Sequence, residues 1–251
     1  MTDADRVSVC MATYNGEKYI DAQLQSILQE LDDSDEVVIV DDASTDGTLA
    51  AIAKFNDPRI RVISQTENRG YVRTFETAIR AATNSVLFLS DQDDEWVPGR
   101  RVALLEGLQN RRIVAGDLVL LGDDAPLTSP LTRRPWRLAT LPEGGSIGNE
   151  LRILAGNAPY YGCAMAIRRN ALALILPFPQ FLTESHDLWI ATVGNVARTM
   201  GHVQHPVVRR RLHEANTSPQ RPRGILMVVR SRVMLIRAWA EARRRVRLAR
   251  R

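Results

Sequence analysis

A chain of 251 residues that is 45% hydrophobic and 25% charged buries enough surface to hold a full core, which excludes a small disulfide scaffold. No stretch approaches the run of about 18 apolar residues that a membrane-spanning helix needs. The net charge of +4 is unevenly spread: from Arg221 onward eleven arginines face one glutamate, a local +10 that leaves −6 on residues 1–220. An acidic body with a basic tail argues against nucleic acid as a partner, because phosphate binding wants positive charge across the docking face. Cys10 and Cys163 sit far apart in apolar runs and read as buried free thiols. Met1 to Arg6 carry two Asp and one Arg, the wrong charge for a secretory leader, so a cytoplasmic chain is expected.

Residues 7–90 alternate short β-branched runs with helical periods, the pattern of βαβ units on a parallel sheet. Val7 to Ala12, Val37 to Val40, Arg61 to Ile63 and Val86 to Leu89 predict strands. Ile20, Leu24, Ile27, Leu28 and Leu31 recur at helical spacing, as do Tyr71, Phe75, Ala78, Ile79 and Ala82, so each set predicts a helix facing the sheet. Ser44 or Thr45 is expected to cap a helix from Thr48 to Phe55. Pro98 is expected in the first turn of a helix that carries Val102, Leu105 and Leu108. Beyond Asn110 the pattern loosens. A strand from Ile113 to Leu121 precedes a Pro, Gly and Arg rich stretch from Gly122 to Gly148. Cys163 to Ile167 then reads as a strand, Leu188 to Ala197 as a helix and Val207 to Arg211 as an extended segment. The simplest partition is one domain over 1–220, with a first half to 97 and a second from 98, and a tail over 221–251.

Ligands of open parallel sheets lie beyond the carboxyl ends of the strands. Three such ends are polar here: Thr13 to Glu17, Asp41 to Gly47 and Asp91 to Glu95. Neither a Gly-x-Gly-x-x-Gly loop nor a Gly-Lys-Ser/Thr loop occurs, which removes the usual dinucleotide and P-loop chemistries. Four carboxylates within Asp91 to Glu95 repel one another, and a divalent cation with oxygen ligands, Mg²⁺ or Mn²⁺, would neutralise them. A solvated acidic turn is the other reading of the same run. Asp41 and Asp42 are pure acceptors suited to a nucleobase imide or ribose hydroxyls, or else members of a tight turn.

Four segments taken together, Met11-Ala-Thr-Tyr-Asn-Gly-Glu17, Val40-Asp-Asp-Ala-Ser-Thr-Asp-Gly-Thr48, Asn68-Arg-Gly70 and Ser90-Asp-Gln-Asp-Asp-Glu-Trp96, resemble the family 2 glycosyltransferases of GT-A fold in order and spacing. Further on, His186-Asp-Leu-Trp189 resembles that family's acidic catalytic motif. Arg211-Leu-His-Glu-Ala-Asn216 resembles its Tyr-Arg-x-His-x-x-Asn segment, with Arg210 standing where the pattern has Tyr. The resemblance implies an α/β fold with a Rossmann-like, mostly parallel sheet. It also implies inverting transfer of a sugar from a nucleoside diphosphate sugar to a glycan or lipid-linked hydroxyl in surface polysaccharide assembly. By the same resemblance Asp93 and Asp91 would hold Mn²⁺ or Mg²⁺ with His213. Thr13, Tyr14, Asn15, Glu17, Asp42, Arg69 and Asp91 would hold the nucleotide. Asp187 would be the general base, and it also suits the N-cap of the helix that follows. Arg211, Asp94 and Trp189 would meet the diphosphate or the acceptor, Trp189 being half core and half platform. The acidic run before Trp96 joined to His-Asp-x-Trp most resembles rhamnosyltransferase-like bacterial members, which suggests a dTDP-sugar, with UDP-sugars using the same scaffold. A non-catalytic nucleotide or glycan binding protein on the same fold is the competing expectation.

The tail has two readings. Ile225 to Ile236 is apolar around most of a helical turn, and six of the nine residues from Arg243 to Arg251 are Arg. Such a segment fits an anionic membrane surface, and equally a helix packed on the body with a solvated basic end.

Overall fold

The computed structural model describes residues 5–138, 146–213 and 224–251; Asn216, expected to close the motif begun at Arg211, lies outside them. The first half alternates as expected: β1 (Val7–Thr13), α1 (Ile20–Leu28), β2 (Glu36–Asp41), α2 (Thr48–Ala53), β3 (Ile60–Ser64), α3 (Tyr71–Ala81) and β4 (Val86–Ser90). The two-residue β5 (Glu95–Trp96), α4 (Arg100–Gly107), β6 (Ile113–Leu120), α5 (Ser146–Ala155), β7 (Met165–Arg168), α6 (Leu172–Ile175), α7 (His186–Ala197), β8 (Met200–Arg210) and α8 (Ile225–Leu248) follow.

All eight strands share one sheet in the order β3-β2-β1-β4-β7-β6-β8-β5. β1 to β4 are parallel, β7 runs antiparallel between β4 and β6, and β8 lies parallel to β6. Six strands therefore point the same way and only β5 and β7 oppose them. Side chains alternate between two apolar layers, as the pleat requires. Val7, Val9 and Met11 of β1 with Val86 and Phe88 of β4 face α1 and α4, whereas Cys10, Leu87 and Leu89 face α3 and α7. Burial of both faces explains why the β1, β2 and β4 sequences read as continuous apolar runs.

Several local expectations change. Neither Ser44 nor Thr45 caps α2: Ser44 donates its hydroxyl to Asp41, and the Asp46 carboxylate accepts from the Thr48 amide at 3.0 Å. Helix α4 begins only after Gly99, whose φ of +82° no side chain adopts easily. That phase turns Leu104 and Leu108 inward and leaves Val102 57% exposed. The strand expected from Cys163 starts two residues later, because Gly162–Ala164 form a 3₁₀ turn. β8 extends back to Met200, and α5 lies at the end of the stretch read as irregular.

The basic tail forms one 24-residue helix, α8, packed against α7. Met234, Leu235, Ala238, Ala242 and Val246 are its buried apolar positions, with Ser231 buried on the same face. Arg245 fastens the junction, donating to the Leu174 and Ile175 carbonyls and lying over the Trp189 ring at 5.0 Å. No described helix is long and apolar enough to cross a membrane.

Candidate active site

Because β1, β2, β4, β6 and β8 run the same way, their carboxyl ends meet along one edge of the sheet. This edge gathers Thr13, Asp41, Ser90 with Asp91, and Arg210. The reversed β7 enters the sheet at the same edge, so Tyr161, Gly162 and Cys163 join them from the other half of the chain.

Three loops on the edge are knitted to one another. Asn15 accepts the Thr45 amide at 2.8 Å, and Glu17 accepts the Gly47 amide at 3.1 Å. Gln92 grips the Tyr14 backbone at both ends, accepting from its N–H at 2.9 Å and donating to its carbonyl at 3.0 Å. A Cβ at Gly16 would collide with the Gln92 amide, so any side chain there would displace the group that grips Tyr14. Thr13 is buried and donates to Asp41. Asp42 accepts both the Arg69 and Gly70 amides, at 2.8 and 2.9 Å, and so ties the β3–α3 loop to the end of β2. The residues expected to touch the nucleotide thus first build the rim, and Tyr14, 45% exposed, is the aromatic ring that rim presents to solvent beside the exposed Asn15, Glu17 and Arg69.

The acidic run divides by direction. Asp93 lies 2.8 Å from the His213 Nε2, and that imidazole stacks on Tyr19 with ring centroids 4.6 Å apart. Asp91 is held well above the usual carboxylate range by burial and by the negative charges of Asp94 and Asp93. Asp94 turns inward, accepts the Arg211 amide at 3.0 Å and meets the Cys163 thiol; burial, then Asp93, pushes it up to about 6. Asp91, Asp94 and Cys163 offer ligand atoms all within 4.8 Å of one another. The two carboxylates of that group are hard oxygen donors of the kind that fit Mn²⁺ or Mg²⁺, whose charge would relieve the repulsion lifting Asp91; the buried Cys163 thiol is the poorer ligand, and the Asp93–His213 pair is the adjoining donor set.

Asp187 was expected as the N-cap of α7, but the helix starts one residue before it, at His186, with Ser185 at the cap position, so Asp187 is the second helical residue and does not cap the helix. Ser185 precedes the helix in the left-handed region at φ +58° and donates its amide to the Tyr71 hydroxyl at 2.9 Å. Burial pushes Asp187 up to about 6, against hydrogen bonds from the Leu188, Asp187 and Gly162 amides and the charge of Arg210. The negative charge of Asp187 in turn contributes to lifting Asp91, so the two carboxylates sense each other. The positive charge of Arg210 acts on both, and its guanidinium lies 4.4 Å from the Tyr161 ring centroid. Burial works against its charge, yet Tyr161, Cys163, Asp94 and Asp91 keep it protonated. An open hollow of about 490 Å³, lined by Leu120 to Asp123 and Arg210 to Leu212, adjoins it. Replacing Arg210 with Gln removes this fixed charge: turnover is expected to drop about a hundredfold, and the acid limb of the pH–rate profile to move to higher pH. An unmoved limb would show that Arg210 does not act on Asp187.

Residues 8–176 match the sequence profile described as Glycosyl transferase family 2, well over half of the chain. The chain belongs to glycosyl transferase family 2. It is 31% identical over 126 residues to the putative teichuronic acid biosynthesis glycosyltransferase TuaG of Bacillus subtilis, covering 48% of this chain and 50% of that protein. It is 30% identical over 94 residues to the Escherichia coli enzyme named UDP-Glc:alpha-D-GlcNAc-diphosphoundecaprenol beta-1,3-glucosyltransferase WfgD, covering 38% and 37%. These matches span about a third to a half of the curated relatives' own lengths. Among solved structures, Staphylococcus aureus TarS in complex with UDP-GlcNAc superposes with a TM-score of 0.64 at 21% identity, over 92% of this chain and 66% of that one. The mannosyltransferase PcManGT of Pyrobaculum calidifontis, in complex with GDP-Man and Mn²⁺, superposes at 0.61 and 19% identity, over 97% and 74%. The GT-A fold expected from the motifs is the fold observed.

Within this family 2 chain, three expected site residues change role. Trp189 is fully buried, donates its indole N–H to the Ile175 carbonyl at 3.0 Å and lies under Arg245, so it is core and no acceptor platform. Two positions along a helix are about 200° apart, so Trp189 must face away from whatever Asp187 faces. Arg211 is committed to Glu95 at 2.6 Å and to the Asp93 carbonyl, which makes it a brace for the acidic run and leaves the cleft charge to Arg210. Asp94, pointed at the Arg211 amide and Cys163, is floor and not a diphosphate contact. Arg100 was not expected at all. Fully buried, it lies 4.1 Å from the Trp96 ring and donates to the Leu89 carbonyl, and burial brings it down to about 10.

Proposed function

We propose that this chain is an inverting glycosyltransferase that moves a sugar from a nucleoside diphosphate sugar to a hydroxyl of a glycan or lipid-linked glycan during bacterial surface polysaccharide assembly in the cytoplasm. The observation carrying the reading is that Asp187 lies near enough to Asp91 for its charge to lift that carboxylate, with the Arg210 charge acting on both and Asp93 meeting His213 beside Asp91. In the transfer the acceptor oxygen forms a bond to the anomeric carbon as the bond to the diphosphate breaks, and the electron pair leaves with the nucleotide. Asp187 takes the acceptor proton. A base that is a separate group from the leaving-group site suits attack from the face opposite the departing phosphate, hence inversion.

Asp93, Asp91 and His213 would hold Mn²⁺ or Mg²⁺, which supplies positive charge to the departing diphosphate. Arg210 adds a fixed cation within the same cleft. Thr13, Asp42 and Arg69 form the nucleoside wall through the loops they fix, and Tyr14, Asn15 and Glu17 hold its rim. The names of the relatives favour a UDP-sugar, with a dTDP-rhamnose-like donor the alternative that the motif pattern suggests.

Thermal-shift titration of the full chain with UDP, dTDP and GDP, each with and without Mn²⁺, tests this reading. One diphosphate is expected to raise the melting temperature by several degrees, more with Mn²⁺, since a ligand at a hundred times its dissociation constant adds about 2.7 kcal/mol. No shift with any of the three would sink it.

A further inference from the structure

Helix α8 has two apolar faces, and the packing on α7 uses only one. Ser231, Met234, Leu235, Ala238, Ala242 and Val246 form the buried face. On the opposite side Leu226, Val229, Val233, Ile236 and Ala240 follow each other at intervals of three, four, three and four residues, which places them in a single stripe along the helix. All five are exposed, Val229, Val233 and Ile236 at 51%, 52% and 54%. Five successive apolar positions on the solvent side of a helix make an unpartnered surface rather than scattered exposure. At helical spacing Arg230 and Arg237 border the stripe on one side and Arg232 and Arg243 on the other, and Arg247 continues its line. Trp239 is 37% exposed and carries the Arg243 guanidinium 4.4 Å from its ring, the pairing of an amphipathic ring and a cation suited to a lipid headgroup layer.

We propose that this outward face of α8 docks on a bilayer of anionic phospholipid, with the stripe entering the boundary between headgroups and acyl chains. Charge decides for lipid over a second copy of the helix. From residue 225 to the last there are nine arginines and one acid, Glu241, and that acid is already engaged by Arg244 and Arg245. Two such helices seated stripe to stripe would bring arginine borders together with no acidic partner, whereas phosphate headgroups supply the missing counter-charge. The proposal is independent of the donor and acceptor reading, since it requires no transfer reaction. Because α8 packs on α7, whose second residue is Asp187, docking would hold the catalytic half of the cleft at a fixed distance from the lipid surface.

Flotation of the full chain with phosphatidylcholine vesicles, and with vesicles that also contain phosphatidylglycerol, is the test. The native chain is expected to float with the anionic vesicles and to remain below with the neutral ones. A Val229→Glu, Val233→Glu, Ile236→Glu variant should lose about tenfold or more of that binding. An Arg230→Gln, Arg243→Gln, Arg247→Gln variant should lose a similar share, and added salt should release the native chain. All six positions are exposed, and an unchanged melting temperature would show that each variant still folds. Flotation by the glutamate variant equal to the native chain would overturn the proposal, as would indifference to phosphatidylglycerol. So would a concentration-dependent dimer in sedimentation that the glutamate variant abolishes, because a second copy would then be the occupant.

Discussion

Replacing Asp187 with Asn is expected to lower turnover about a thousandfold while the dissociation constant for the donor nucleotide stays within a factor of about two. Removing a positioned general base costs roughly two to four orders of magnitude, and Asn keeps the shape of the side chain and an oxygen for the Leu188 amide at the 2.7 Å distance Asp187 makes. Steady-state transfer assays read the first quantity and calorimetric titration the second. Loss of both together would mean that the residue only builds the pocket. Preserved turnover would remove it from the chemistry. The pH dependence follows from its surroundings. Burial disfavours the charged carboxylate and lifts it to about 6, so the ionised, proton-accepting form predominates above that pH. The rate should therefore be flat from about pH 7 upward and fall tenfold for each pH unit well below 6.

Asp93→Asn is expected to have the second largest effect. The carboxylate that meets His213 would become neutral, and any Mn²⁺-dependent stabilisation by a nucleoside diphosphate should disappear, with kcat/KM for the donor down by at least about a hundredfold. Thermal shift with and without Mn²⁺ separates the two quantities. Asp94→Asn is the informative contrast. Its carboxylate faces the Arg211 amide and Cys163, so the change should lower the melting temperature and leave the difference made by Mn²⁺ in place. If the two variants behaved alike, the division of the run into an outward and an inward aspartate would be wrong.

Much of the first half of this architecture was readable because its two periods are clean. Runs such as Val37 to Val40 admit only a strand buried on both sides, and the spacing from Ile20 to Leu31 admits a helix with one apolar face. The acidic ends of β2 and β4 followed from the direction of a parallel sheet. Arg210 was harder for a geometric reason. Two adjacent arginines at the end of a strand point to opposite sides, and which of them enters the cleft depends on a register fixed by pairing with β6, a partner about ninety positions earlier. Cys163 was assigned to structure alone because nothing local shows that β7 runs against its neighbours and so brings its start to the active edge. Trp189 is different, since the angle between it and Asp187 was available from helix geometry before any coordinates. Apolar residues of α8 divide into two faces by spacing alone, but only packing tells which face the body takes.

The side-chain staples among the β1, β2 and β4 loops make those three segments one rigid body. Asn15 and Glu17 hold the second loop and Gln92 holds the first from the third, so none can move without breaking bonds to another. A molecule settling against that wall would not have to freeze it, which lowers the entropy lost on association. Any closing motion in the catalytic cycle must then come from the opposite wall, and damage at Gln92 should be felt as far away as the Asp46–Thr48 turn, as slackening rather than as a missing contact.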